Sequence, residues 1–257
     1  MARRPELPIF MQDPKTNEIL SEAASAITKG LKVYLSGGAL RNALYYALFH
    51  TRLPQRDYDL LVFGKKEGFI KRLRSLGFVY GRIRRKHEVV LKKKKVSKPK
   101  IISDYVVLDI KETQDRNIKE NMRMRVSFTV NGFALPLKHI SSRNWRKQVI
   151  AMPGAMADLK GKKLRVLNLS HPANLFAAIR FMSKGFRAPL KNEVNQLLSA
   201  LGGLEKWRFE RNVKKIFDYV GGEAEARRLA RRLGIEKDIF DFETIKTLNV
   251  GKCVVLN

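Results

Sequence analysis

The chain has 257 residues, with 52 Lys+Arg against 24 Asp+Glu and a formal net charge of +28; a polyanionic partner offsets self-repulsion on that scale by counterion release, so nucleic acid is expected ahead of an acidic membrane surface. Its 44% hydrophobic content suits a globular chain that buries about 75% of the surface its unfolded form exposes, which excludes global disorder. The single cysteine, Cys253, excludes a disulfide framework or a Cys/His zinc cluster, and no apolar run approaches the ~20 residues of a membrane helix or the core of a secretory signal, so a reducing, cytoplasmic setting without membrane association is expected.

In chain order, "PKTNEILSEAASAITK" (14–29) has helical spacing and meets a stop at Gly30. "LKVYLS" (31–36) reads as a buried strand, "ALRNALYYALFH" (39–50) as a helix and "YDLLVFG" (58–64) as a second strand. "KKEGFIKRLRSLGF" (65–78) is an amphipathic helix, followed by strands at "HEVVL" (87–91) and "ISDYVVLDIKE" (102–112). These elements predict an α+β head built on a mixed sheet. From about residue 170 every segment has helical period and ends near glycine, until a strand-like "GKCVVLN" at the terminus. The expected organisation is therefore a head over 1–168 and an all-helical domain over 169–257.

Between 82 and 100 the chain holds ten Lys/Arg and one acidic residue, Glu88. The basic residues are Arg82, Arg84, Arg85, Lys86, Lys92, Lys93, Lys94, Lys95, Lys98 and Lys100. Two readings are open: a solvated hairpin tip, or an arm that tracks the phosphates of RNA.

Asp57 and Asp59 stand at i and i+2, which on a strand places both carboxylates on one face. So close together they do not both stay ionised cheaply, and a divalent cation resolves the conflict; hard oxygen donors favour Mg2+ or Mn2+. The alternative is an ordinary turn at "PQRDYD". Upstream, Gly37 and Gly38 fall between a strand and a helix, where backbone N–H groups approach an anion, and Arg41 lies on the first helical turn. Trp145, between Arg143 and Arg146, either stacks a base or packs at a domain junction. The four histidines are scattered without ligand spacing.

These residues resemble the head and neck of the class II tRNA nucleotidyltransferases and bacterial poly(A) polymerases, within the polymerase-β-type nucleotidyltransferase superfamily. The family pattern G-G-x-V-R-D followed by D-x-D matches Gly37, Gly38, Arg41, Asp57 and Asp59; "RVSFTVNG" (125–132) resembles R-R-D-F-T-x-N-A, and "HPANLFAAIRF" (171–181) resembles the neck element D-P-x-R-x-L-R-x-x-R-F. The resemblance implies metal-bound catalysis by Asp57, Asp59 and a third carboxylate at Asp109, with Asp104 and Glu112 as weaker alternatives. It also implies ATP or another NTP held by Gly37, Gly38, Arg41, Arg125, Asn131, Asn174 and Arg180, the last of which is equally read as an inter-helix strut. The chain departs from the pattern at Asn42, where the family has aspartate, at Val126 and Ser127, and at Ser170, His171 and Asn174, where the family reads the base edge.

The expected function is template-independent transfer of NMP, AMP favoured, from NTP to an RNA 3′-hydroxyl by two-metal catalysis, with pyrophosphate released. The alternative is a catalytically weakened nucleotidyltransferase-fold component of a ribonucleoprotein. The family continues into body and tail domains that grip tRNA, so a protein or ribonucleoprotein partner in their place is a further expectation.

Overall fold

The computed structural model describes residues 7–55, 57–85, 88–95 and 104–248. "GKCVVLN", Cys253, Lys86, Lys98 and Lys100 lie outside the described residues, as do the side chains of Arg82, Arg84 and Arg85. The chain divides into two compact units: Met1–Met124 with Asn131–Ala155, and Arg125–Val130 with Met156–Asn257.

The first unit is built on a seven-stranded sheet. Its strands are β1 (Lys32–Ser36), β2 (Tyr58–Phe63), β3 (Val79–Arg85), β4 (Glu88–Lys94), β5 (Tyr105–Thr113), β6 (Phe133–Pro136) and β7 (Ile150–Ala151), in the order β3-β4-β5-β2-β1-β6-β7. Only β2 and β5 pair in parallel. Val33, Leu35, Leu60, Val62, Leu108 and Ile110 fall on one face and are buried. Helices α1 (Pro14–Ser25) and α3 (Lys66–Ser75) belong to that face: Lys93 Nζ on β4 pairs with Glu22 of α1 and donates to the Leu76 carbonyl just past α3. Helix α2 (Gly37–Phe49) packs along β2 and β6.

Two boundaries differ from the sequence reading. Helix α1 ends at Ser25 rather than running to Gly30, whose φ of 85° serves the turn into β1 instead. The basic stretch 82–85 belongs to β3, at the sheet edge, and pairs antiparallel with Glu88–Val90 of β4, while Lys92 of the second basic run lies opposite Val79. A short helix, α4 (Ile118–Arg125), follows β5.

In the second unit, residues 125–130 lie against 165–167. Phe128 bridges Val166, Thr129 N–H donates to the Arg165 carbonyl at 3.1 Å, and Leu167 N–H donates to the Ser127 carbonyl at 2.8 Å. The remaining helices are α5 (Ala155–Lys160), α6 (Asn174–Met182), α7 (Lys191–Leu201), α8 (Lys206–Val220), α9 (Glu223–Arg232) and α10 (Phe242–Leu248). Aromatic contacts carry much of this core: Phe128–Phe181, Phe181–Phe186, Phe176–Phe209 and Phe209–Phe242 centroids lie 5.3–5.8 Å apart. Among buried polar groups, Asp158 accepts from Thr129 Oγ1 (2.6 Å) and Arg165 Nη2 (3.1 Å), and Glu193 accepts from the N–H groups of Val166 and Leu190. No helix among the described residues is long and apolar enough to cross a membrane.

Candidate active site

Sheet register decides which carboxylates meet. Asp59 on β2 is paired directly with Asp109 on parallel β5 and with Ser36 on antiparallel β1. Directly paired residues project to the same face, so Asp59 and Asp109 stand side by side, opposite the face covered by α1 and α3. The alternatives are placed elsewhere. Glu112 has the opposite parity and pairs with buried Lys66 at 3.2 Å, and Asp104 precedes β5. Asp109 is 2% exposed.

A lysine holds this pair of like charges together. Lys111, two residues beyond Asp109 on the same face, donates to Asp59 Oδ1 at 2.9 Å and lies 3.7 Å from Asp109 Oδ2 and 3.9 Å from Glu88 Oε1. Burial alone would pull its ammonium pKa down; Asp59, Asp109 and Glu88 outweigh that and hold it above the usual lysine value. The Lys111 ammonium thus stands between the carboxylates of neighbouring strands.

Asp57 stands one residue ahead of the ladder, since strand β2 begins at Tyr58. Its backbone carbonyl accepts from the Gln55 side chain. Among the described residues no group of three or more His, Cys, Asp or Glu side chains is arranged to hold a metal ion. Asp59 and Asp109 nevertheless supply adjacent hard oxygen donors, the chemistry magnesium or manganese requires.

The glycine pair lies against these acids. Gly37 opens α2 with φ 67°, and a Cβ built on it would stand 2.5 Å from Asp59 Oδ2, so a side chain here collides with the carboxylate. A Cβ on Gly38 would meet only Arg41 Nη2, at 3.6 Å. The N-terminus of a 13-residue helix and two carboxylates therefore share one small region.

Arg41 is 4% exposed and bonds within the unit: Nη1 donates to Asn131 Oδ1 at 2.6 Å, and Nε and Nη2 donate to Asn42 Oδ1 at 3.2 and 2.8 Å. Asn42 in turn donates to the Pro54 carbonyl and to Gln55 Oε1, each at 3.0 Å, and Gln55 reaches the Asp57 carbonyl. A relay Asn131–Arg41–Asn42–Gln55 thus fixes the backbone at Asp57. No local pattern signals it, because Asn131 lies 90 residues from Arg41.

The other candidates are dispersed. Lys93 turns to the covered face, Lys95 pairs with Asp13 at 3.8 Å, and Lys92 lies over the Tyr105 ring at 4.5 Å. Trp145 is 1% exposed, which removes it as a base-stacking platform. In the second unit Arg125 is exposed, and buried Asn174 donates to the Asn168 carbonyl at 2.6 Å. Arg180 is exposed with its guanidinium 5.7 Å from the Tyr219 ring, linking α6 to α8 as a strut would.

No protein-family model matches the chain, and no curated protein matches it. Solved structures do. A CCA-adding enzyme complexed with CTP superimposes with a TM-score of 0.65 at 20% identity, over 86% of this chain and 52% of its own. A Thermotoga maritima CCA-adding enzyme complexed with tRNA gives 0.62 at 22%, over 86% and 51%, and a tRNA-processing enzyme in an apo form gives 0.63 at 22%, over 92% and 60%. The chain thus spans about half to three-fifths of the length of these structures, and the likeness establishes its fold as the one it shares with these CCA-adding and tRNA-processing enzymes over the matched part.

Proposed function

We propose that the protein is an RNA 3′-terminal nucleotidyltransferase that transfers NMP from an NTP, AMP favoured, to the 3′-hydroxyl of an acceptor RNA. The observation that carries this reading is the in-register pair Asp59–Asp109 set against the glycine start of α2. Acidic oxygens for a divalent ion and a helix N-terminus for a triphosphate are the two parts phosphoryl transfer needs in one place. The net charge of +28 suits a polyanionic acceptor.

Asp59 and Asp109 would hold magnesium or manganese, with Asp57 one residue ahead of the strand; the ion, when bound, supplies Lewis acidity toward the phosphate oxygens. The N–H groups at Gly37 and Gly38 bind and orient the triphosphate, which the missing side chains let approach the backbone. The Asn131–Arg41–Asn42–Gln55 relay positions the backbone at Asp57. Lys111, which holds Asp59 and Asp109 together, would supply positive charge beside an anionic nucleotide bound there. The RNA 3′-hydroxyl attacks the α-phosphate in line, and the bond to the leaving pyrophosphate breaks.

A labelled RNA incubated with each NTP and Mg2+ or Mn2+ tests the proposal. Extension with at least one NTP is expected, and Asp59→Ala should lower it by on the order of 10³-fold or more. Absence of extension with every NTP and both metals, or extension indifferent to Asp59→Ala, overturns it. The second reading, an RNA-binding component without catalysis, is favoured by one observation: Arg41 is held internally rather than presented to a ligand. It predicts RNA binding that ignores NTP and metal.

A further inference from the structure

Helix α8 buries Phe209 and Ile216, and these meet its obligation to the core of the second unit. Trp207 lies on the far side of the helix from them and is 54% exposed. An indole left in water on a helix that has already satisfied its core is a costly choice unless something covers it. Its immediate neighbours are cationic. The guanidinium groups of Arg208 and Arg211 each lie over the Trp207 ring, 5.1 Å from its centroid, one and four residues along the helix. Arg208 Nε also pairs with Glu205 at 2.9 Å. Lys214 and Lys215 are exposed one turn further on. The acidic residues of the helix, Glu210 and Asp218, line the cleft between α8 and the Phe240–Glu243 segment together with Lys214, so the cations nearest the indole are Arg208 and Arg211.

We infer that this ridge is a base-stacking site for single-stranded RNA. An unpaired base stacks on the indole by displacing one of the two guanidinium groups that lie over it, and the displaced arginine, with Lys214 and Lys215, neutralises the phosphates that follow along the helix. Such contacts are tolerant of sequence, because every base has a π face. A protein partner would be expected to seal an apolar patch; this ring is bracketed by charges that stay hydrated, which fits a polyanion. The inference rests on RNA being the acceptor, but it places RNA on residues of the second unit that have no assigned part in catalysis.

The chain has two tryptophans, and Trp145 is buried, so the accessible emission of the intact protein reports on Trp207. Titration with a short fluorescent oligouridylate should raise anisotropy, quench the accessible emission and shield it from acrylamide. Trp207→Ala should weaken RNA binding about tenfold, raising KM for RNA with kcat unchanged, and Trp207→Phe should recover part of the loss. Arg211→Lys keeps the charge and loses the planar cation, so it should weaken binding while leaving the salt dependence in place. Circular dichroism confirms that each variant is folded. RNA that binds without altering the accessible emission overturns the inference and leaves the catalytic reading standing. Equal quenching by heparin, which has no bases, overturns it too, reducing the ridge to a charge sensor. Absence of RNA binding removes both readings, whereas extension lost in Asp59→Ala with Trp207 quenching retained separates the catalytic site from this one.

Discussion

A methyl group at position 37 would stand 2.5 Å from Oδ2 of Asp59, and the φ of 67° strains any L side chain there. Gly37→Ala should therefore cost roughly 1–3 kcal/mol in urea unfolding and displace the carboxylate, losing extension activity with it. Gly38→Ala, facing only an ordinary contact, should unfold near the parent midpoint. Asn42→Asp makes a subtler point. A carboxylate there still accepts from Arg41 but has no N–H for the Pro54 carbonyl and Gln55 Oε1, which Asn42 now satisfies. A loss of about 1–3 kcal/mol is expected from these stranded acceptors, so restoring the family's residue should harm this chain; unchanged stability would refute the relay. Lys111→Met removes the counter-charge between Asp59 and Asp109. In EDTA the variant should be less stable than the parent at neutral pH, and millimolar Mn2+ should narrow the gap. Because the folded pKa of Lys111 is raised, its contribution is complete below the unfolded value of about 10.4 and fades only as pH climbs through the higher folded one. The gap should therefore be flat from pH 7 to 9.

Helix α1 is held at its start by Asp13, whose carboxylate accepts from Thr16 N–H at 2.9 Å and from the Thr16 hydroxyl, with Pro14 at the first position. The Thr16 side-chain bond lowers the pKa of Asp13. This stabilisation is present above the unfolded carboxylate value and disappears as pH falls through the lower folded one. Asp13→Ala should cost about 1 kcal/mol at neutral pH, Asp13→Asn less, with the Ala deficit shrinking in acid. Elements with a clean period were legible: β1, α2, β2 and the helices from α6 onward carry their pattern within a dozen residues. Strand β3 was not, because "VYGRIRR" reads as a charge run. Its charges are what an edge strand needs to discourage further pairing, and Val79 and Tyr80 remain exposed. For the site, the glycine pair and Asp59 could be read from local spacing. Asp109 came from the family resemblance, and its register opposite Asp59 is a long-range fact. The bond from Arg41 to Asn131 is another, because an arginine early in a helix looks the same in sequence whether it faces a ligand or a distant asparagine.

Taken whole, the RNA binding proposed for the molecule would act against a background charge of +28, so affinity should fall steeply with salt, with a log–log slope of about −0.7 for each phosphate neutralised on a single strand. A measured slope near zero would show that the charge serves something else. The path of the chain sets a further condition on any experiment that takes the protein apart. Residues 125–130 are folded into the second unit although the residues on both sides belong to the first, so the backbone crosses from one to the other at 124/125, 130/131 and 155/156. Scission after residue 155 would therefore yield an N-terminal fragment that carries Phe128 without Phe181 and Thr129 without Asp158. The complementary fragment would be short of its own strand. A soluble isolated catalytic half calls for excising 125–130 and bridging the gap with a designed loop, and the removed hexapeptide should rescue the other half when supplied in trans.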